Sequence, residues 1–425
     1  MSAEQPPPSI GAAARLIFKT GLARLYSLVI SMGTLIVVAR LLGPSGRGAM
    51  AAIISWVTLL SSVGSLSLGQ IAIHRAARHR GRPWLSETMG SLLGFTALLS
   101  ALGFAGTGFA FYLGAAGPLK DLPPAVCALG VLQLPLVLWD LFGSSLLIAV
   151  DALLAYNRAL IIGRTLSLLA LLVFVPLLGF GVNGALLASL LGQFAVAALA
   201  FRSLLVHADG PLRPSASVTA ELIGGGARLH FSALGLSWVN SATALLVQTQ
   251  RGAAQTGFFT LANDMAAILI IFSQATLQML SSDAAVRGPA QSWQLTKTLL
   301  PRLLAVTAAI MAVSALLARP AVALVLGAAY ADAVPLFQIL LLTLLPQTFA
   351  MAMAPQWVTR GLFWQSSAGM MLVAALNLFL ARLWVPLHGA TGAVWASVAA
   401  FALVGVINLG FVLWISRAST RATAA

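Results

Sequence analysis

The chain has 425 residues, of which 60% are hydrophobic and only 8% are charged. Soluble globular proteins carry about 25% charged residues, so this composition excludes a soluble enzyme, a disordered chain and a fibrous protein. Its hydrophobic runs are continuous, whereas the strands of a membrane β-barrel alternate hydrophobic and polar side chains over about ten residues. The composition therefore predicts an all-α polytopic membrane protein.

The formal net charge of +14 comes from 24 Lys and Arg against 10 Asp and Glu. In a membrane protein, such an excess reflects basic cytoplasmic loops and attraction to anionic lipid rather than binding to nucleic acid. The single cysteine, Cys127, excludes an intrachain disulfide, and the five histidines lack zinc-site spacing. Lys19, Lys120 and Lys297 do not follow glycine, so there is no Walker A motif. We expect no cofactor and no metal.

In chain order, twelve hydrophobic segments are long enough to cross about 30 Å of hydrocarbon at about 1.5 Å per residue. Turn-forming sequences rich in glycine and proline separate several of them, including residues 42–46. The segments cover residues 20–42, 48–73, 88–114, 124–149, 159–179, 183–205, 229–249, 256–280, 300–318, 333–357, 365–385 and 391–416.

The basic residues predict the orientation of these segments. With both termini in the cytoplasm, 15 of the Lys and Arg residues fall in segments on the inside and 4 in loops on the outside. Cytoplasmic loops of membrane proteins carry an excess of basic residues. The distribution therefore favours cytoplasmic termini and an even number of membrane crossings.

Two short matches indicate an internal repeat. Residues 11–18 resemble residues 224–231, and residues 184–189 resemble residues 392–397, at offsets of 213 and 208. Six predicted helices separate the copies, so both halves enter the membrane in the same direction, as in transporters with parallel repeats. The predicted organisation is an N-terminal lobe (1–205), a cytoplasmic linker (206–226) and a C-terminal lobe (227–425).

Three short motifs, Ala39–Gly48, Gly257–Ala262 and Pro386–Ala393, resemble the polysaccharide-transporter branch of the MOP (multidrug/oligosaccharidyl-lipid/polysaccharide) exporter superfamily. This branch includes Wzx-like O-antigen flippases and, more distantly, lipid II flippases. The resemblance implies two six-helix lobes around a central cavity lined by helices 1, 2, 7 and 8. It also implies alternating access that carries a polyprenyl-diphosphate-linked glycan outward. Asp264 stands where the lipid II branch has an arginine, which argues against lipid II as the cargo.

Polar side chains spaced three, four or seven residues apart form one face on predicted helices 1, 2 and 7. Arg24 is the strongest candidate on these faces, because a guanidinium can hold a diphosphate with paired hydrogen bonds. Serine and threonine faces also pack helices together, and Arg24 also lies close enough to the helix end to snorkel to the headgroups. The substrate-binding candidates are Arg24, Ser27, Ser31, Ser62, His230, Ser237 and Gln248.

On helix 8, Asp264 is the candidate for coupling transport to an ion. Intramembrane carboxylates are costly and are usually functional. Two alternatives remain for this residue: an ion pair with Arg24, or a hydrogen bond that only stabilises the fold.

The sequence favours a flippase, not an enzyme, in the cytoplasmic (inner) membrane, with a role in cell-surface polysaccharide or lipopolysaccharide biosynthesis. Its expected partners are the lipid-linked oligosaccharide, membrane lipids, a polysaccharide polymerase and glycosyltransferases. The first alternative is an ion-coupled multidrug antiporter, which needs acidic groups that bind cations. The second is a membrane polymerase or ligase of lipid-linked sugars. Such an enzyme needs catalytic groups outside, where the loops offer only the acids Asp121 and Asp332.

Overall fold

The computed structural model describes residues 10–79, 83–113 and 117–424, and all regular elements within these ranges are helical. A π-helical turn, Trp238–Ala242, joins α8 to α9. The α-helices are α1 (Ile10–Ser65), α2 (Leu68–Arg78), α3 (Leu85–Tyr112), α4 (Pro124–Val131), α5 (Leu134–Ala149), α6 (Leu153–Phe174), α7 (Gly181–His207), α8 (Ala216–Ser237), α9 (Thr243–Leu269), α10 (Ile271–Val325), α11 (Ala333–Leu340), α12 (Leu344–Thr359), α13 (Phe363–His388) and α14 (Ala390–Ala424).

Within the described residues, nine helical stretches are long and apolar enough to cross a membrane. They account for ten of the twelve predicted segments, because the stretch Val29–Arg78 overlaps two of them, 20–42 and 48–73. The other two segments, 229–249 and 256–280, lie on α8, α9 and α10. The prediction of an all-α, multi-pass membrane protein is confirmed.

Glycine turns divide the helices α1 and α9. Gly43 in α1 has φ 65° and ψ −178°, and Gly252 in α9 has φ 77° and ψ −175°. Only glycine adopts this conformation without strain, because it has no Cβ. Pro44 then starts the second half of α1 at a position where a helix needs no N–H donor. Each turn lies between two predicted membrane segments, and the two glycines are 209 positions apart.

The internal repeat is visible in the order and length of the helices. In the first half, the eight-residue α4 precedes the sixteen-residue α5. In the second half, the eight-residue α11 precedes the sixteen-residue α12. Corresponding helices begin 209 or 210 positions apart, close to the offsets of the two sequence matches.

The chain divides into two compact units, Met1–His230 and Phe231–Ala425, each with its own core. In the first unit, Met89 and Phe142 are among the buried residues that join α2, α3, α5, α7 and α8. In the second, Val239 and Phe401 belong to a cluster that joins the π-turn, α13 and α14. Close packing of these side chains contributes van der Waals contacts that stabilise each unit.

The chain after α7 is held against the start of α3 within the first unit. The Asp209 carboxylate accepts hydrogen bonds from the backbone N–H groups of Trp84 (2.6 Å), Leu85 (3.1 Å) and Ser86 (2.9 Å). The Ser86 hydroxyl in turn donates to the carbonyl of Gly210 at 2.8 Å. Asp209 thus caps α3 from a distant part of the chain, satisfying donors that a helix start leaves free.

Further contacts join α8 and the residues just before it to α2 and α3. Ser91 and Ser215 exchange hydrogen bonds, and the backbone of Arg213 lies so close to Gly90 that a Cβ there would be 2.7 Å from it. On α8, the carboxylate of Glu221 accepts a hydrogen bond from the buried Arg75 guanidinium of α2. Part of the predicted linker 206–226 is therefore fastened to the first unit, whereas its assignment as a cytoplasmic linker stays a prediction.

The cap on α3 predicts a pH-dependent stability. Burial raises the pKa of Asp209, but hydrogen bonds from the Ser86 side chain and three backbone amides outweigh it and lower the pKa to about 2. An unfolded aspartate has a pKa of about 3.9, so the charged cap stabilises the fold above about pH 4, and its contribution disappears as the pH falls through about 2.

We expect Asp209→Ala to lower the free energy of unfolding by about 1 kcal/mol at neutral pH. Asp209→Asn keeps a capping oxygen and should lose less, with a difference from the wild type that vanishes below about pH 2. Denaturation of the purified protein in detergent across this pH range measures both effects. A wild-type protein and alanine variant of equal stability at neutral pH would contradict the cap.

Candidate functional site

An arginine lies near the middle of α6. Arg164 is eleven residues after Leu153, or about 16 Å along a helix that is 22 residues long and apolar enough to span the membrane. Its side chain is exposed, and its Nη1 donates a hydrogen bond to the Ser31 hydroxyl at 2.6 Å. Ser31 lies on the polar face of α1 that the sequence indicates as substrate-binding. The structure thus adds a cation to that face.

The packing of α6 on α7 fixes the direction of Arg164. A Cβ on Gly163 would lie 2.6 Å from the carbonyl oxygen of Gly192, and a Cβ on Gly192 would lie 2.5 Å from the Ser167 Cβ. Such close contact between small residues is how membrane helices pack in the absence of a hydrophobic driving force. Because Gly163 faces α7, the next residue is turned by about 100° away from that contact.

A second hydrogen bond joins α1 to α6 beside this arginine. The hydroxyls of Tyr26 and Thr165 are 2.7 Å apart. The Tyr26 side chain is exposed, at 37% of its maximum. Tyrosine, serine and arginine therefore present hydroxyl and guanidinium groups on one exposed face of the first unit.

A carboxylate on α5 completes the polar cluster. Asp140 accepts hydrogen bonds from the Tyr156 hydroxyl at 3.1 Å and from Gln193 Nε2 at 3.3 Å. It is also close enough to Arg164 for their opposite charges to interact. Donors from α6 and α7 thus hold the acid in place, and its charge partly balances that of the arginine. The side chains of Tyr26, Ser31 and Arg164 are exposed, whereas that of Asp140 is half-buried.

The other candidates of the first unit have different surroundings. The side chains of Arg24 and Ser27 lie outside those that the structure describes. Ser62 is half-buried on α1, and its carbonyl accepts a hydrogen bond from Ser65. His230 is 5% exposed, with Nε2 3.1 Å from the Val63 carbonyl and Nδ1 3.4 Å from the Ser67 hydroxyl. It therefore ties α8 to the end of α1, and a role in binding substrate stays a prediction.

The remaining candidates lie on α8 and α9 of the second unit. Ser237 ends α8 and is half-buried, and Asp264 is exposed on α9. Gln248 is 2% exposed, and its Oε1 has no hydrogen-bond partner among the described residues. Five residues earlier, Thr243 donates to Asn377 of α13 at 2.6 Å. The structure thus shows an uncharged polar interior here, and the roles of these three candidates stay predictions.

Arg164 is the residue that sequence analysis missed. The predicted segment begins at residue 159, which places Arg164 close to a membrane surface, where arginine is ordinary. In the structure, α6 begins at Leu153, so the same residue lies far from either end. The available signal was the largely apolar sequence on both sides of Arg164, residues 159–163 and 166–174.

Both the sequence and the fold of this chain are similar to those of known proteins. A model of the polysaccharide biosynthesis protein family matches residues 14–280. No curated protein sequence matches the chain significantly. Among solved structures, the inward-facing conformation of a multidrug resistance MATE family transporter of the MOP superfamily has a TM-score of 0.74 at 18% identity, covering 95% of this chain and 96% of that one.

Two further structures support the same fold. The outward-facing conformation of a MATE family multidrug transporter has a TM-score of 0.66 at 17% identity, covering 96% of each chain. The lipid II flippase MurJ, in an inward closed conformation, has a TM-score of 0.73 at 12% identity, covering 93% of this chain and 87% of that one. The structural matches establish a fold shared with the MATE transporter and with MurJ, and the family match spans more than half of the sequence: the chain belongs to the polysaccharide biosynthesis protein family.

Proposed function

We propose that the protein is a flippase that moves polyprenyl-diphosphate-linked oligosaccharide units outward across the cytoplasmic (inner) membrane by alternating access. The family assignment supports a role in polysaccharide biosynthesis, and the fold is one that a lipid II flippase also adopts. The cargo would serve the synthesis of cell-surface polysaccharide, including lipopolysaccharide. Glycosyltransferases would act before the flippase in the pathway, and a polymerase would act after it.

The observation that carries this proposal is the exposed Arg164 in the middle of a span, bonded to Ser31. An arginine at the centre of a membrane helix costs about 2.5–3.5 kcal/mol on insertion scales, so such residues usually face a water-filled path. Its planar guanidinium matches the oxygen atoms of a phosphate with two parallel hydrogen bonds. A diphosphate passing along this face would therefore meet a permanent cation with hydroxyl groups beside it.

The second candidate function is an ion-coupled multidrug antiporter, because the fold is also that of a multidrug transporter. Such a protein needs acidic groups that are free to bind cations. In the first unit, Asp140 is engaged by Tyr156 and Gln193, and Arg164 would repel a cationic drug. The balance of charge at this face favours an anionic cargo. A membrane polymerase or ligase of lipid-linked sugars is the third candidate.

Within the proposal, Arg24, Ser27 and Ser62 extend the path of the headgroup along α1, with Ser31 and Arg164 at its centre. We also propose substrate contacts for His230, Ser237 and Gln248, and for Asp264 a coupling ion that adds to the driving force of the cargo's own charge. Both termini would lie in the cytoplasm, as the distribution of basic residues predicts.

The test is transport by the purified protein in liposomes. A polyprenyl-diphosphate glycan with a fluorescent headgroup is placed in the inner leaflet, and its appearance outside is followed with a membrane-impermeant quencher. We expect appearance to be faster than in protein-free vesicles, and a lipophilic cationic dye to be neither transported nor inhibitory. Transport of the dye without movement of the glycan would support the antiporter and overturn the proposal.

A further inference from the structure

A cavity of about 560 Å³ lies in the second unit, where α10 ends and α11 begins. Its walls include Leu316, Val322 and Ala323 of α10 and Val334 of α11. Two polar side chains, Arg319 and Gln338, line it from opposite helices. The cavity therefore combines an apolar wall with a cation and an amide.

The turn between α10 and α11 sets the shape of the cavity. α10 ends at Val325, and Gly327 (φ 94°) reverses the chain into the turn Ala328–Tyr330. Tyr330 is 1% exposed and packs edge-on against Phe258, with ring centroids 6.2 Å apart. The Nε2 atom of Gln338 donates to the Ala315 carbonyl at 3.0 Å, which ties α11 back to α10. These contacts fix the end of α10 and the start of α11 around the cavity.

Arg319 is the charged group of this cavity. Its side chain is exposed and makes no hydrogen bond or ion pair with another residue in the described part of the chain. It lies six residues before Val325, or about 9 Å inside the end of a helix that can span the membrane. The predicted orientation places this end at the outer surface, where basic residues are rare in membrane proteins.

An anion with an apolar tail fits these surroundings best. The guanidinium can bind a phosphate with two parallel hydrogen bonds, and Gln338 has a second amide hydrogen to offer. Leu316, Val322 and Ala323 would then contact hydrocarbon. We propose that this cavity binds the phosphate headgroup and upper acyl chain of an anionic phospholipid from the outer leaflet. The site does not depend on the transported cargo.

The arginine has one other physical role that the test must separate from lipid binding. A cation in the last turns of a helix stabilises the partial negative charge at its C-terminus. That role requires no cavity and no lipid. A variant that fills the cavity but keeps the charge therefore distinguishes the two.

The experiment measures binding of fluorescent phosphatidylglycerol to the purified protein in detergent. Because loss of one charge-assisted hydrogen-bonded pair is the main change, we expect Arg319→Gln to weaken binding at least tenfold and Arg319→Lys to weaken it less. Ala323→Phe should also weaken binding at least tenfold by filling the cavity. The matched control is Arg382→Gln, an exposed arginine on α13 of the same unit, which should bind as the wild type does.

Two measurements on the wild type keep the proposal testable if a variant fails to fold. Labelled phosphatidylglycerol should be displaced by unlabelled phosphatidylglycerol at least tenfold better than by phosphatidylcholine, and glycerol 3-phosphate should not displace it. Equal displacement by phosphatidylcholine, or equal binding by Arg319→Gln and the wild type, would overturn the proposal. Competition by glycerol 3-phosphate would replace the lipid with a free phosphate ester as the ligand.

Discussion

Replacing Arg164 with alanine is expected to slow outward movement of the diphosphate-linked glycan by about 100-fold, with normal insertion and folding. The slower rate corresponds to an activation free energy about 2.7 kcal/mol higher. This is the size expected for the loss of one or two hydrogen bonds to a charged group. Arg164→Lys should restore transport in part, because an ammonium keeps the charge but loses the planar fork. Initial rates in liposomes at matched protein amounts measure both variants.

A matched control lies on the same helix. Arg158 is also exposed on α6, near the end that is predicted to be cytoplasmic, and Arg158→Ala should transport at nearly the wild-type rate. Ser31→Ala removes the hydroxyl that accepts the Arg164 hydrogen bond and should cost less than the loss of the arginine. Wild-type transport by Arg164→Ala would show that the arginine serves the packing of α1 on α6 instead.

Replacing Glu221 with alanine is expected to destabilise the first unit by about 2 kcal/mol. Arg75 is 8% exposed, and its hydrogen bond to Glu221 balances its charge. Removing one partner of a buried pair leaves the other charge without compensation, which costs about 3–5 kcal/mol in a fully buried pair. The effect is smaller here because 35% of the Glu221 side chain is exposed and Glu87 lies 3.9 Å from Arg75.

The double replacement Arg75→Met with Glu221→Met should recover most of this stability, because hydrophobic side chains of similar volume often replace a buried pair without loss. Glu87→Ala serves as the control. The Glu87 side chain is 58% exposed, and exposed pairs contribute at most about 1 kcal/mol. Chemical denaturation in detergent measures all three proteins. Equal stabilities for Glu221→Ala and Glu87→Ala would show that the buried pair does not hold α8 to α2.

The features that sequence analysis predicted well depend on local chemistry. Continuous hydrophobic runs predict membrane helices because the bilayer forces the backbone to satisfy its own hydrogen bonds. The motif at Gly43–Pro44 predicts a turn because the two residue types have opposite and well-defined conformational preferences. Even the repeat follows from such local signals, since Gly43 and Gly252 occupy equivalent places in the two halves.

The features that sequence analysis missed depend on contacts between distant residues. Asp209 caps a helix that begins more than 120 residues earlier, and no local pattern around it indicates that partner. The sequence predicts His230 at the start of the second lobe, whereas its hydrogen bonds lie in the first unit. The sequence does not single out Arg164, because its predicted segment begins at residue 159 whereas α6 begins at Leu153. The depth of a residue in the membrane depends on where its helix begins, and packing against other helices determines where a helix begins.

Outward movement of the labelled glycan in liposomes under an imposed membrane potential tests the central claim most directly. The diphosphate carries about two negative charges, and each is worth about 2.3 kcal/mol per 100 mV, so about 100 mV, negative inside, favours export by roughly 4.6 kcal/mol. We predict faster export at this potential, slower export when the sign is reversed, and partial export by Asp264→Asn at either sign. An export rate that does not change with the potential, and that falls to the protein-free level in Asp264→Asn, would contradict an anionic cargo driven by its own charge. That result would support ion-coupled antiport.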